Sequence, residues 1–167
     1  MGRSDRSGNR RRTVALAVLC AGLAIIAGCG STAVEASRDA IPLSVPDVPP
    51  GTELSTAMAE FENANFGYSA RYFEMAAEKS PQDMSACLGL AASYDWLYRF
   101  DLSDRAYSTC SKIAKDAFSY HNNLGFSYLL RGDYRKASVS FSQAKRLRPG
   151  DPVVENNFRI LRDVSSG

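Results

Sequence analysis

The sequence predicts an all-α protein, a short solenoid of three helical hairpins followed by a C-terminal capping helix. The main observation is a spacing of 34 residues that recurs at several positions within residues 52–151. This period is typical of repeats that are built from two antiparallel helices. The recurring positions carry either aromatic or small side chains: Phe66, Phe100 and Tyr134; Phe73, Tyr107 and Phe141; and Ala57, Ala91 and Gly125.

Residues 1–28 are predicted to be a lipoprotein signal peptide. Five arginines precede an uncharged apolar run over residues 14–27, which is too short to span a bilayer comfortably. The run ends in Ile26-Ala27-Gly28-Cys29, which resembles a bacterial lipobox. The resemblance implies cleavage before Cys29, a diacylglyceryl group on its sulfur and, in many bacteria, acylation of the new amino group. The alternative is an ordinary signal peptide with a cysteine at this place by chance.

Removal of this leader changes the charge of the chain. The full sequence has 20 basic and 18 acidic residues, and without residues 1–28 it has 15 basic and 17 acidic residues. The mature chain is therefore slightly acidic and has no basic block. Because phosphate binding needs clustered Lys and Arg, this composition disfavours a nucleic-acid partner.

Residues 29–51 are predicted to form a lipidated flexible tether. The segment contains four prolines, which exclude a helix or a central strand: Pro42, Pro46, Pro49 and Pro50. A segment of this composition is semi-extended and lets the folded part stand away from a membrane.

Residues 52–151 are predicted to hold the three hairpins, and the third is the clearest. Its first helix carries Leu124 and Gly125, its turn contains Asp133 as an N-cap, and its second helix carries Phe141. These positions resemble the tetratricopeptide repeat, in which His121 stands where a Trp is usual. The first hairpin keeps fewer signature residues, and we expect the second hairpin to begin at Ser80 as the helix cap.

Residues 152–164 are predicted to form a capping helix. Asp151 and Pro152 give it a start, and Val154, Phe158 and Leu161 give it one apolar stripe. The alternative is an unstructured tail.

No constellation in the sequence predicts an enzyme, a metal site or a cofactor. The chain has a single histidine, His121, which in this repeat position is expected to be structural. A zinc site needs about four clustered ligands, and no Gly-rich phosphate loop is present. Asp101 and Asp104, near Asp95, are expected to act as caps and as part of a solvated face.

The resemblance to tetratricopeptide repeats implies a concave groove lined by the first helix of each hairpin. The groove should be mostly apolar and should lack the Lys, Asn and Arg set that grips a C-terminal carboxylate in some members of the family. Such a groove suits an apolar or amphipathic segment of another protein, with Trp96 as the favoured anchor. The alternative is that several of these residues are core. The predicted partner-binding residues are Leu54, Met58, Phe61, Leu88, Asp95, Trp96, Asn122, Phe126, Leu129 and Leu130, and the same positions include Glu62 and Ala92.

Cys87 and Cys110 are predicted to form a disulfide within the second hairpin. The start of the first helix lies beside the end of the second in an antiparallel hairpin, and an exported protein meets an oxidising compartment. The alternative is a pair of buried thiols.

Lipid-anchored proteins with these repeats resemble the assembly lipoproteins of tight-adherence (Flp-type) pili and the pilotins of type IV pilus secretins. The resemblance implies a scaffold that binds a secretin or a pilus-machine subunit. Because Gly30, and not Asp, follows Cys29, the expected location is the periplasmic face of the bacterial outer membrane. The alternatives are an accessory of outer-membrane assembly, a scaffold for a cell-wall hydrolase and, less favoured, an enzyme.

Overall fold

The computed structural model of the 167-residue chain describes residues 40–114 and 116–165. This part of the chain consists of helices and connecting segments and contains no strand. No helix within it is long and apolar enough to cross a membrane. The predicted signal peptide and Cys29 lie outside the described residues. The helices are α1 (Glu53–Glu62), α2 (Phe66–Lys79), α3 (Met84–Trp96), α4 (Phe100–Ala114), α5 (Phe118–Leu130), α6 (Tyr134–Leu147) and α7 (Pro152–Ser165).

Helices α1 to α6 form three antiparallel hairpins, and small side chains allow the two helices of each hairpin to lie close together. Ala57 and Ala91 are fully buried. A Cβ atom on Gly125 would lie 2.5 Å from the ring of Phe141, so this position admits no larger side chain without a shift of that ring. The 34-residue pattern of small residues is therefore a packing pattern.

Aromatic side chains fill the space between neighbouring hairpins. Phe73, Tyr107 and Phe141 are each at most 3% exposed, although they come from three different second helices. Since a single hairpin cannot bury such a side chain, the hairpins are stable only as a stack. The predicted solenoid of three hairpins is confirmed.

Aspartate side chains fix the starts of three helices. Asp83 accepts hydrogen bonds from the backbone N–H groups of Ser85 (2.7 Å) and Ala86, and Asp133 caps α6 in the same way. The expectation that Ser80 caps the second hairpin is wrong. Ser80 is the C-cap of α2, and the turn between the hairpins occupies Pro81 and the residue after it.

Residues 40–51, which we call the N-terminal strap, pack against α2. A Cβ on Gly67 would lie 2.1 Å from the carbonyl oxygen of Ala40, and the Tyr72 hydroxyl donates to the carbonyl oxygen of Pro46 at 2.9 Å. Val45 and Val48 pack on the core cluster that contains Tyr72. The prediction of a flexible tether is therefore corrected for residues 40–51, because their apolar side chains find a complementary face on α2.

Helix α7 closes the other end of the stack. Val154 is fully buried and Leu161 is 6% exposed, and the ring of Phe158 lies 5.8 Å from that of Phe141. The predicted capping helix is confirmed, and the alternative of an unstructured tail is excluded for these residues.

Candidate binding groove

The first helices of the hairpins, together with α7, enclose a groove of about 500 Å³ on the concave side. We call it the concave groove. Seven of the predicted partner-binding residues line it: Met58, Phe61, Leu88, Asp95, Trp96, Asn122 and Phe126.

Three predicted residues do not line the groove. Leu54 packs on the core cluster of Ala57, Tyr72 and Phe73. Leu129 packs beside Phe141. Leu130 is half-buried outside the groove lining. For Leu54 and Leu129 the structure favours the alternative that these residues belong to the core.

A row of four aromatic rings runs along the groove. The ring centroids of Phe61 and Phe66 are 5.2 Å apart, those of Phe66 and Trp96 are 5.3 Å apart and stacked, and those of Trp96 and Phe126 are 5.8 Å apart. Trp96 remains 39% exposed and Met58 49% exposed. Aromatic rings held in contact at a partly open surface offer a large apolar contact area that is already ordered.

Asp95 forms the floor of the groove and is only 2% exposed. One carboxylate oxygen accepts hydrogen bonds from the hydroxyls of Ser103 (2.5 Å) and Ser127 (2.7 Å), and the other accepts from Tyr107 (3.0 Å). Arg131 lies 3.6 Å away. The expectation of a solvated carboxylate is therefore wrong for Asp95. Because its oxygens already have partners, Asp95 supports the groove and is not available to a ligand.

The environment of Asp95 affects its ionisation. Burial raises the pKa of the Asp95 carboxyl above its usual value, while the hydrogen bonds from Ser103, Ser127 and Tyr107 and the charge of Arg131 act in the opposite direction. Burial also raises the pKa of Tyr107, and the neighbouring carboxylate adds to that effect. These groups form a structural link between the second and third hairpins.

The rim of the groove is polar but carries little charge. The Asn157 amide donates to the side-chain oxygen of Asn122 at 2.8 Å. Among the described residues that line the groove, Glu62 is the exposed charged group. No group of three or more His, Cys, Asp or Glu residues in the described ranges could hold a metal ion. The ring of His121 lies 5.3 Å from that of Tyr120, outside the concave groove.

The sequence reasoning missed the contribution of α7 to the groove. Val153 and Asn157 line it, and so does Met84 at the start of α3. The 34-residue pattern ends before α7, so it gives no groove position to that helix. The amphipathic pattern of α7 indicated a cap, and only the angle at which the cap docks places Val153 beside the groove.

The second hairpin contains a disulfide between Cys87 and Cys110. Their Cα atoms are 5.7 Å apart, and the bond joins the first turn of α3 to the last part of α4. Leu88, the next residue, lines the groove. The disulfide therefore fixes the helix pair that carries the middle of the groove.

Comparison with known proteins identifies the fold. No protein-family model matches the sequence, and no curated protein matches it either. Among solved structures, the first TPR domain of human RPAP3 matches with a TM-score of 0.62 at 10% identity, covering 69% of this chain and 91% of that chain. The TPR domain of Arabidopsis OM64 matches with a TM-score of 0.60 at 15% identity, covering 68% and 93%.

A bacterial structure matches to a similar degree. The Yersinia enterocolitica type III secretion chaperone SycD, in complex with a peptide of the translocator YopD, matches with a TM-score of 0.59 at 16% identity, covering 68% of this chain and 90% of that chain. The fold of this protein is thus that of a short tetratricopeptide-repeat (TPR) domain, closed at its ends by the N-terminal strap and α7.

Proposed function

We propose that this protein is a lipid-anchored scaffold of the bacterial envelope that binds an apolar or amphipathic segment of another protein in its concave groove. The observation that carries the proposal is the row of aromatic rings from Phe61 to Phe126, which is ordered, partly exposed and apolar. The lining offers a contact surface but no nucleophile with a base and no metal-ligand cluster among the described residues.

Two further points support a protein ligand. The similar chaperone SycD has been solved with a peptide of its translocator, so this fold can hold a peptide. Side chains that project from an apolar helix or strand at regular intervals match a groove whose anchors recur from one hairpin to the next. Trp96, in the middle of the row, is the side chain best placed to act as a hot spot.

The finer proposal is that the partner is a secretin or pilus-machine subunit and that the scaffold assists its assembly or localisation. Its support is the similarity to pilus assembly lipoproteins and pilotins, together with the lipobox-like sequence that ends at Cys29. The corresponding location is the periplasmic face of the outer membrane. A photo-crosslinking residue at Met58, which is 49% exposed in the groove, is the direct test in living cells. Crosslinking to an outer-membrane assembly factor or a cell-wall hydrolase would redirect the finer proposal.

Trp96→Glu tests whether the groove is the binding site. A charge in the aromatic row should abolish capture of the crosslinked partner, since truncation of such an anchor costs about 2 kcal/mol or more, equivalent to about thirtyfold in affinity. Circular dichroism and thermal melting should show that the fold survives.

Leu147→Glu is the matched control, because Leu147 is 41% exposed, close to the 39% of Trp96, and does not line the groove. Unchanged capture by the Trp96 variant would reject the groove as the site. Melting of the Trp96 variant alone would show that this side chain belongs to the core.

Cys29→Ser tests the anchor separately. Mass spectrometry of the wild-type protein should find a mature N-terminus at Cys29 with the mass of two or three acyl chains, because one chain gives only marginal anchoring. The variant should leave the membrane fraction under alkaline wash. A mature N-terminus elsewhere would contradict the assignment, while partner capture by the groove would remain to be judged on its own.

A further inference from the structure

The 34-residue period allows the same face of each hairpin to be compared. On the first hairpin this face is covered by the N-terminal strap, which contacts Gly67, Arg71 and Tyr72. On the second hairpin the face is covered by α2. There the hydroxyl of Tyr94 donates to the Glu74 carboxylate, and Ala106 lies in a core cluster with Ala70. Each of these faces is therefore occupied by a segment that precedes it in the chain.

The corresponding face of the third hairpin is partly open. Helix α4 reaches it through contacts such as the Tyr107–Tyr120 ring pair and the ion pair between Arg131 and Asp104. A cleft of about 550 Å³ remains between α5 and α6, which we call the junction cleft. Its lining includes Arg135 and Ser140, the residues that correspond by the period to Gly67 and Tyr72 beneath the strap.

The junction cleft has its own chemistry. Val139 is 67% exposed there, although the first two hairpins carry Arg71 and Arg105 at this position. Arg135 and Arg146 line the cleft, and Arg146 donates to the Gln143 amide. Lys136 is already paired with Asp133 at 2.9 Å, so the two arginines provide the positive charge that a ligand would meet. Among the described residues that line the cleft, none carries a carboxylate.

The two arginines are spaced along one side of α6. They are eleven positions apart in the sequence, which is close to three helical turns, so they share a face about 16 Å apart along the helix axis. An extended chain covers that distance in about five residues, at about 3.1 Å per residue. The N-terminal strap shows that the equivalent face of the first hairpin accepts an extended, proline-rich segment.

We propose that the junction cleft binds an extended acidic segment of a partner protein, in which two carboxylates about five residues apart pair with Arg135 and Arg146. Apolar residues between the carboxylates contact Val139 and the rings of Tyr120 and Tyr128. The site is separate from the concave groove and gives the protein a second, electrostatic point of contact.

The test uses two labelled peptides with the sequence of residues 40–50 of this chain. The acidic probe carries Pro42→Asp, which places a carboxylate five residues before Asp47. The basic probe carries Pro42→Lys and Asp47→Lys. Fluorescence anisotropy with the full chain carrying Cys29→Ser should show saturable binding of the acidic probe that weakens as salt is raised, and at least tenfold weaker binding of the basic probe.

Substitutions in the protein locate the bound probe. Arg135→Glu and Arg146→Glu should each weaken binding of the acidic probe at least tenfold. Arg105→Glu, the same change on the exposed surface of α4, should leave binding unchanged, and circular dichroism should show that all three variants are folded. Trp96→Glu should also leave binding unchanged, which separates this site from the concave groove.

Three results would overturn the proposal. The first is the absence of saturable binding of the acidic probe at millimolar protein concentration. The second is equal binding of the two probes, or binding that survives both arginine substitutions. The third is sedimentation of the same protein with vesicles of phosphatidylethanolamine and phosphatidylglycerol that depends on Arg135 while the acidic probe does not bind. That result would assign the cleft to an anionic lipid surface.

Discussion

At the scale of single residues, Asp95 is the side chain on which the groove most depends. A buried carboxylate is costly unless hydrogen bonds and an opposite charge satisfy it. Here three hydroxyls donate to it, and Arg131 also contacts Asp104 at 2.6 Å and the ring of Phe100 at 4.7 Å. Removal of one partner of such a set costs about 3–5 kcal/mol, because the other partner remains buried without compensation.

Asp95→Asn should change how stability depends on pH. Because burial raises the pKa of Asp95 above the usual 3.8, the folded state favours the protonated form. The contribution of this group to stability is therefore fully present below its unfolded pKa and is lost as pH rises through its folded pKa. Measured by urea unfolding, the stability of the Asn variant relative to wild type should increase between about pH 4 and pH 7.

Asp104→Asn provides the control for this prediction. Asp104 also contacts Arg131, but its side chain is 58% exposed, so it should not show the same trend. If the relative stability of the Asp95 variant instead falls as pH rises, the hydrogen bonds and Arg131 outweigh burial and the pKa of Asp95 is lowered in the folded state.

At the scale of elements, the second hairpin differs from its neighbours because a disulfide joins its two helices. The bond closes a loop with a sequence separation of 23. A cross-link of this length restricts the unfolded chain and stabilises the fold by about 3 kcal/mol in the chain-entropy description. Since α3 supplies Leu88 and Trp96 to the groove, the same bond holds the middle of the binding surface.

Reduction of Cys87–Cys110 should lower the midpoint of urea unfolding by an amount that corresponds to about 3 kcal/mol. The double variant Cys87→Ala and Cys110→Ala should be destabilised similarly and should no longer respond to reductant. Alkylation with maleimide, followed by peptide mapping, measures the redox state of the wild-type protein. Labelling of both cysteines in unfolded protein that was never reduced would show that the bond does not form.

The sequence predicted the elements better than it predicted the groove. The period gave the hairpins, since Ala57 or Phe73 can serve only one packing role in such a stack. It failed where residues of one type serve two environments. Leu88 and Leu129 occupy similar helices, yet Leu88 reaches the groove and Leu129 lies beside Phe141. Exposure at such positions depends on the angle between hairpins, which a local pattern does not specify.

At the scale of the whole molecule, the solenoid is closed by two unlike caps. Helix α7 covers the C-terminal hairpin with Val154 and Leu161, whereas the extended N-terminal strap covers the first. A repeat array exposes apolar surface at both ends unless its terminal faces are covered. The strap was predicted as a tether because its prolines exclude a helix, and the sequence pattern gave no sign that an extended chain would pack on α2.

The double substitution Val45→Asp and Val48→Asp should detach the strap and destabilise the protein by about 2 kcal/mol, because two partly buried apolar side chains lose their contacts. Thermal melting measures the loss, and hydrogen exchange should locate the new exposure in α1 and α2. Leu43→Asp is the control in the same segment, since Leu43 is 98% exposed and should tolerate the change. Equal melting of both variants would mean that the strap contributes no stability.

The docked strap also sets the reach of the protein. If Cys29 is held in the bilayer as proposed, only eleven residue steps separate the membrane from Ala40, which is fixed beside Gly67. Fully extended, that length of chain covers at most about 40 Å. A receptor confined to so thin a layer searches for its ligand in two dimensions and at a high effective concentration. A modest affinity in solution would then be enough to capture a subunit that lies on the same membrane, whereas a subunit free in the periplasm would largely escape.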